Sequence, residues 1–321
     1  MKAERAQRST NRTIARDVVS VRKHCSTLLG FVREAWPLVE HDRPFVQGWH
    51  IEFICRHLEA ITNGTLLAMG CENRLLANVP PSFTKSLVVS VFWPAWEWGP
   101  ARKPSMQYIA TSFRQDFCLR DSRRMRDLVM SGWYQQSFPH VELVATGEWR
   151  FSNTQGGFRE AVPFGSLTGG KADRILIDDP HSVDTAESDA DRERAVMRFR
   201  ESVTTRLNDP VRSAIVVIMQ RLHERDIAGE ILRLDLAASE DKGAAYTCGV
   251  LLGRHYYVGN VVREHVGNWR FRKARGRTSV GRLQSAPRKA QARRLARIAV
   301  LGHYMGRGGP FCAAPWMTPE A

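Results

Sequence analysis

Short apolar runs, each closed by polar or turn-forming residues, recur along the first three quarters of the chain. Leu75-Leu76-Ala77 leads into Asn78-Val79-Pro80-Pro81, Gln107–Thr111 into Ser112-Phe113, Ile175-Leu176-Ile177 into Asp178-Asp179-Pro180, and Ala214–Met219 into Gln220-Arg221-Leu222-His223. Continuous rather than alternating apolar character predicts strands buried on both faces, as in a parallel sheet. Between them lie helical patterns. One spans Gly48 to Ile61 and is closed by Asn63-Gly64; a polar one carries Arg120, Arg123, Arg124 and Arg126; a charged amphipathic one runs from Glu187 to Val203. Strands alternating with helices predict an α/β fold with a mainly parallel sheet flanked by helices.

The segment after the first run carries the most specific chemistry. Pro80-Pro81-Ser82-Phe83-Thr84-Lys85-Ser86 joins a short strand to the apolar run Leu87–Phe92, which is able to start a helix. Strand, tight loop, Lys-Ser and helix read in two ways: as a P-loop of NTPase type, although Val79 and Thr84 stand where glycines are usual, or as an ordinary strand-loop-helix corner with a surface lysine. In a P-loop, backbone amides cradle phosphate oxygens, Lys85 reaches the β/γ-phosphates of ATP and the Ser86 hydroxyl sits on Mg²⁺. About ninety residues on, Asp178 and Asp179 close a buried strand. Alone this is equally a strand ending in a solvated Asp-Asp-Pro turn; beside a P-loop candidate, the first carboxylate is expected to hold Mg²⁺ and the second to orient and deprotonate the attacking water. Gln220, Arg221 and His223 follow the next strand, at the sheet edge where ligands bind, and two readings stand for them: γ-phosphate sensing, or a salt-bridge cluster at a helix N-terminus. The arginines of the polar helix likewise face DNA, a neighbouring subunit, or solvent alone.

Taken together, these segments resemble the ATPase domain of tailed-phage terminase large subunits, the DNA-packaging motor. The resemblance rests on Val79-Pro80-Pro81 through Lys85-Ser86, Phe92-Trp93-Pro94-Ala95-Trp96-Glu97-Trp98-Gly99-Pro100, Tyr108–Phe113, Ser131-Gly132-Trp133-Tyr134, Ile175–Pro180 and Gln220–His223, and covers residues 35–232. Ser82 departs from the glycine or arginine common in that family, which leaves any arginine role in the loop unassigned. The resemblance implies ATP and Mg²⁺ as cofactors, Gln47 near the nucleotide base, and double-stranded DNA, a small terminase subunit and a portal protein as partners. It also implies a possible homo-oligomeric ring in the host bacterial cytoplasm. A P-loop helicase-like ATPase outside packaging is the competing enzyme; the Trp93–Trp98 phrase argues against it. A non-hydrolytic DNA- or partner-binding remnant is the non-enzymatic alternative.

Charge alters the picture only at the C-terminal end. The chain of 321 residues holds 47 Lys+Arg against 33 Asp+Glu, a net +14. From Arg263 onward there are thirteen Lys/Arg and two Glu, so +11 of the excess lies there. A basic extension of this kind neutralises phosphates or is simply poorly ordered. Four segments result: a basic N-terminal arm at 1–34, the ATPase domain at 35–232, a nuclease remnant at 233–270 and a basic, disordered or frameshifted tail at 271–321. The third rests on resemblance to the opening hairpin of the terminase nuclease, a ribonuclease-H-like fold, with residues 245–253 and 255–263 as its strands. There Asp235 is the first, strand-start metal carboxylate, and Asn260 stands near where a second belongs. No Asp or Glu occurs between Glu264 and Glu320. The expected product is a degraded or truncated prophage copy lacking nuclease activity; the alternative is a shortened homologue with a different C-terminal role. Six scattered cysteines (Cys25, Cys55, Cys71, Cys118, Cys248, Cys312) form no close pair, against a disulfide frame or zinc knuckle. No apolar run approaches eighteen residues and no signal-peptide pattern opens the chain, so no membrane contact is expected.

Overall fold

The fully apolar runs become parallel strands of one seven-stranded sheet. Its strands are β1 (Arg74–Asn78), β2 (Gln107–Ser112), β3 (Leu143–Thr146), β4 (Arg150–Asn153), β5 (Phe158–Pro163), β6 (Arg174–Asp178) and β7 (Ala214–Met219). They lie in the order β1-β7-β6-β2-β5-β4-β3. The first five in that order run parallel, and β4 and β3 extend the sheet as antiparallel strands. The computed structural model describes residues 17–68, 71–167 and 169–240. It also describes the short strands Val250–Leu252, Val262–Glu264, Asn268–Arg270, Leu295–Ala296 and Leu301–His303. The α/β class expected from the pattern is the observed one: a mainly parallel sheet flanked by helices. Strands β3 to β5 were not anticipated, because Arg150–Asn153 and Phe158–Pro163 mix polar and apolar residues and lack a continuous run.

Alternate residues of each parallel strand feed two cores. On one face Leu75, Ala77, Tyr108, Ala110, Leu176, Val216 and Ile218 join a helical layer; on the other Leu76, Ile109, Ile175, Ile177, Ile215, Val217 and Met219 meet Phe164, Leu167, Val203, Leu207 and Ile227. The first layer contains α1 (Leu28–Val39), α2 (Trp49–Thr62), the π-helical Leu87–Phe92 continuing into α3 (Trp93–Trp98), α4 (Gln115–Met130) and the short α5 (Gly132–Ser137). The run Leu87–Trp98 is buried at every position. It is apolar all round because helices and sheet enclose it. The tryptophans of this run keep their indole N–H groups satisfied: Trp93 donates to Thr62 Oγ1, Trp96 to Cys25 O and Trp98 to Met106 O, each at 2.9 Å.

Several expectations need correction. The N-terminal arm does not extend to residue 34 as a separate piece: Cys25, Leu28, Phe31 and Val32 are fully buried in the main core, where Phe31 packs edge-on against Phe92 and Tyr134. The charged helix is broken at Ser188, which caps α7 (Asp189–Arg198), after α6 (Val183–Glu187). The strand expected to start at Asp235 is instead part of α8 (Ile227–Glu240), which crosses the boundary drawn at 232. Of the two runs read as a nuclease hairpin, the described residues are Val250–Leu252 in the first and Val262 and Arg263 in the second. Val250–Leu252 lies parallel to Leu301–His303, and Val262–Glu264 lies antiparallel to Asn268–Arg270. The remainder of that hairpin, Asn260 included, lies outside the described residues.

Candidate nucleotide site

The in-register parallel strands bring four loop segments to one edge. Asn78 pairs with Met219, and Asp178 with both Ile218 and Ser112, so the segments beginning at Val79, Phe113, Asp179 and Gln220 leave the sheet together at its carboxyl edge. Cross-links hold them there: Val79 N donates to Met219 O (2.9 Å), Asp179 N to Ile218 O (2.8 Å) and Phe113 N to Asp179 O (3.2 Å). The loop from Val79 turns at Pro81–Thr84, and residues 85–86 open the helix that continues as Leu87–Phe92. Pro81 and Ser82 are exposed, Pro80 and Phe83 partly so. Ser82 and Thr84 are left-handed, with φ of 66° and 65°, and Asp179 has φ of 41°. The two loop residues thus adopt the backbone that glycine takes freely.

Lys85 is the focus of the edge. Its side chain is 5% exposed and its Nζ lies 2.7 Å from Asp179 Oδ2. The other oxygen of Asp179 accepts from the amide of Gln220 (2.9 Å). Asp178 beside it is buried and accepts a hydrogen bond from the Ser86 hydroxyl, while its Oδ1 has no hydrogen-bond partner. Burial, with Asp179 and Asp121 nearby, pushes the Asp178 carboxyl up to about 7, against the opposing effects of Ser86 and Lys85. Ser86 Oγ and Asp178 are hard oxygen donors, and an orphaned buried carboxylate oxygen is what a cation would satisfy, so the pair fits Mg²⁺. Among the described residues no group of three or more His, Cys, Asp or Glu is placed to hold a metal. Further ligands would come from water and phosphate.

The other expected residues stand differently. Arg221 is tied to its own loop: Nε lies 3.2 Å from Asp226 Oδ1, and Nη2 donates to the carbonyls of His223 and Glu224. His223 Nδ1 accepts from Arg225 N (3.0 Å). Asp226 accepts from the amides of Leu222, His223 and Gly229 at the start of α8. This is the helix N-terminal cluster. Gln47 is exposed and bonded to Arg33 and Glu52. The arginines of α4 all have acidic neighbours: Arg120 with Asp121, Arg123 with Glu148, Arg124 with Glu40 and Arg126 with Asp127.

Three contributors escaped the sequence reading. Asp121 is buried on α4 and adds negative charge near Asp178. His181, directly after the Asp-Asp-Pro turn, is buried and accepts from Ile227 N through Nε2 (3.2 Å), which ties the carboxylate segment to α8; burial lowers its pKa. His50 on α2 reaches loop 79–86, with Nε2 3.2 Å from Phe83 O. Nothing in their immediate sequence marks these three, since each acts on an element distant along the chain.

No protein-family model matches the chain, and no curated protein is similar to it. Among solved structures it is similar to the large terminase of bacteriophage HK97, with a TM-score of 0.48 and 10% identity over 68% of this chain and 42% of that one. It is also similar to a point mutant of the large terminase ATPase domain of Thermus phage P74-26, with a TM-score of 0.38 and 13% identity over 55% of this chain and 65% of that one. The chain therefore spans less than two thirds of the length of either.

Proposed function

We propose that this chain is an ATP hydrolase of the phage DNA-packaging type, the motor subunit that its sequence motifs resemble. The observation that carries the hydrolase reading is the convergence of Lys85, Ser86, Asp178 and Asp179 at one sheet edge, beside a loop in the left-handed geometry of a phosphate cradle. Lys85 neutralises the β/γ-phosphates, and the amides of the loop and of the helix start add partial positive charge. Ser86 and Asp178 would hold Mg²⁺, which supplies charge neutralisation at the same oxygens. Asp179 orients the attacking water and takes its proton, with the Gln220 amide fixing the second carboxylate oxygen. Gln220 senses the γ-phosphate, and Arg221 and His223, bonded within their own loop, support it from the start of α8. The action of this activity on double-stranded DNA, with a small terminase subunit, a portal and a ring of like chains, rests on the motif resemblance.

The test is steady-state ATP turnover with parallel nucleotide-binding measurements. Lys85→Ala is expected to lower turnover by on the order of 10³-fold or more, and Asp179→Asn to retain binding while losing turnover. A wild-type chain that binds nucleotide without turnover would instead favour the non-hydrolytic remnant. Equal hydrolysis by wild type and Lys85→Ala would remove the P-loop assignment altogether.

A further inference from the structure

The phosphate loop holds a conformation that its own residues disfavour. Ser82 and Thr84 have φ of 66° and 65°, a region costly for any residue with a Cβ, so contacts from outside must hold the turn. One such contact is on Phe83, the residue between them. His50 Nε2 lies 3.2 Å from Phe83 O, and because a carbonyl only accepts, the imidazole N–H donates. The two rings also meet edge-to-face at 5.3 Å, and Trp49 meets the imidazole edge-to-face at 6.1 Å. Gly48, the N-cap of α2, makes room for the ring: a Cβ there would fall 2.4 Å from His50 Cε1 and 2.5 Å from Nδ1.

Resting on the nucleotide-site reading above, we propose that His50 is a positioning residue for the phosphate loop, clamping from α2 a turn that glycines would otherwise adopt unaided. A carbonyl in a phosphate cradle repels the anion, whereas amides attract it. Committing Phe83 O to His50 keeps that oxygen off the phosphates and holds the chain in the hand that presents the neighbouring amides. Most of the ordering cost of the loop is thereby met before nucleotide arrives, which is preorganisation in the sense used for binding sites. The clamp compensates for the missing glycines of the loop.

Mg-ATP binding by calorimetry, together with KM and kcat, tests this on the full chain. His50→Phe keeps a ring of similar size and removes the donor; it is expected to weaken binding roughly tenfold, the loss of about one oriented hydrogen bond, with KM rising more than kcat falls. His50→Gln, which keeps a donor, recovers most of the affinity. Gly48→Ala displaces the imidazole without altering it and should reproduce the loss, and it decides the matter if His50→Phe does not fold. Thr84→Gly placed in the His50→Phe background should restore binding, a rescue that a purely structural role for His50 would not produce. Binding by His50→Phe or Gly48→Ala equal to wild type, with Lys85→Ala still defective, overturns the clamp and leaves the nucleotide site standing. Wild-type binding by Lys85→Ala overturns both.

Discussion

Asp178 and Asp179 are chain neighbours with opposite surroundings, and the difference gives each a separate signature. Asp179 is about a quarter exposed and faces the Lys85 ammonium. Asp178 is buried, and its carboxyl is pushed up from 3.8 to about 7, by burial first and then by the charges of Asp179 and Asp121. A carboxyl raised in the folded state destabilises the protein once the unfolded chain has released its proton. In metal-free protein that cost is absent below pH 4, grows as pH rises toward 7 and is complete above it. Asp178→Asn removes the cost, so at pH 8 in chelator this variant should be more stable than wild type by about 1–3 kcal/mol, a few tenths of a unit of which would already be resolvable. Addition of Mg²⁺ should stabilise wild type and not the variant. Urea melts at pH 5 and pH 8, with and without Mg²⁺, check this, and a wild type that gains stability from pH 5 to 8 relative to Asp178→Asn would contradict the assignment. That both carboxylates, Lys85 and Ser86 belong to one candidate site was legible in the sequence, because each closes or follows a strand-like apolar run. His50, Asp121 and His181 were not, because their roles depend on which elements the fold places side by side.

The helix Leu87–Trp98 shows how a sequence phrase acquires its meaning from packing. Glu97 is an isolated acid inside an apolar run, and the structure makes it fully buried. Arg174 at the start of β6 donates to it from Nη2 (2.9 Å) and Nε (3.2 Å), and Tyr108 donates through its hydroxyl. The guanidinium also lies over the Trp93 ring at 5.7 Å. Arg174 and Tyr108 sit at the N-terminal ends of their strands, opposite the carboxyl edge, so this clamp fixes the helix that follows loop 79–86 from the far end of the sheet. Glu97→Ala strands the Arg174 charge in the core and should cost roughly 3–5 kcal/mol of stability, read as a lowered urea midpoint. Nucleotide affinity of the protein that remains folded should stay near wild type; an unchanged midpoint would mean that Arg174 finds another partner. An acid within an apolar helix and an arginine opening an apolar strand are each visible in sequence, but their pairing across 77 positions is not. The opposite failure occurs at α8. Leu232-Arg233-Leu234-Asp235-Leu236 alternates like a strand, yet Asp226 caps the segment's start, and Ile227, Ala228, Ile231 and Leu232 follow helical spacing onto the second core. The cap and the alanines that follow favour the helix, and the local alternation is overridden.

Charge and carboxylates are distributed along the chain in opposite senses, and DNA chemistry follows from that distribution. The region before Arg263 holds thirty-four basic and thirty-one acidic residues, whereas the segment from Arg263 onward carries an excess of +11. Neutralising DNA phosphates with such a segment releases counterions, so any DNA affinity it confers should fall steeply with salt. Cleavage makes a different demand. Two-metal phosphodiester hydrolysis needs several carboxylates converging on two cations a few ångströms apart. From residue 235 onward the chain offers Asp235, Glu240, Asp241, Glu264 and Glu320, with Asp235 and Glu240 on α8. Asp235 lies on this helix and not at the strand start that the resemblance to a nuclease hairpin implied for it. The expected outcome is DNA binding without cutting: retardation of a duplex at low salt that weakens sharply as salt is raised, and no conversion of supercoiled plasmid to nicked or linear forms with Mg²⁺ or Mn²⁺. Linearisation by clean protein that disappears on Asp235→Ala would overturn this and would assign a working metal site to the C-terminal region. Linearisation that survives Asp235→Ala would place a nuclease elsewhere in the chain, and retardation insensitive to salt would remove the basic segment as the source of binding.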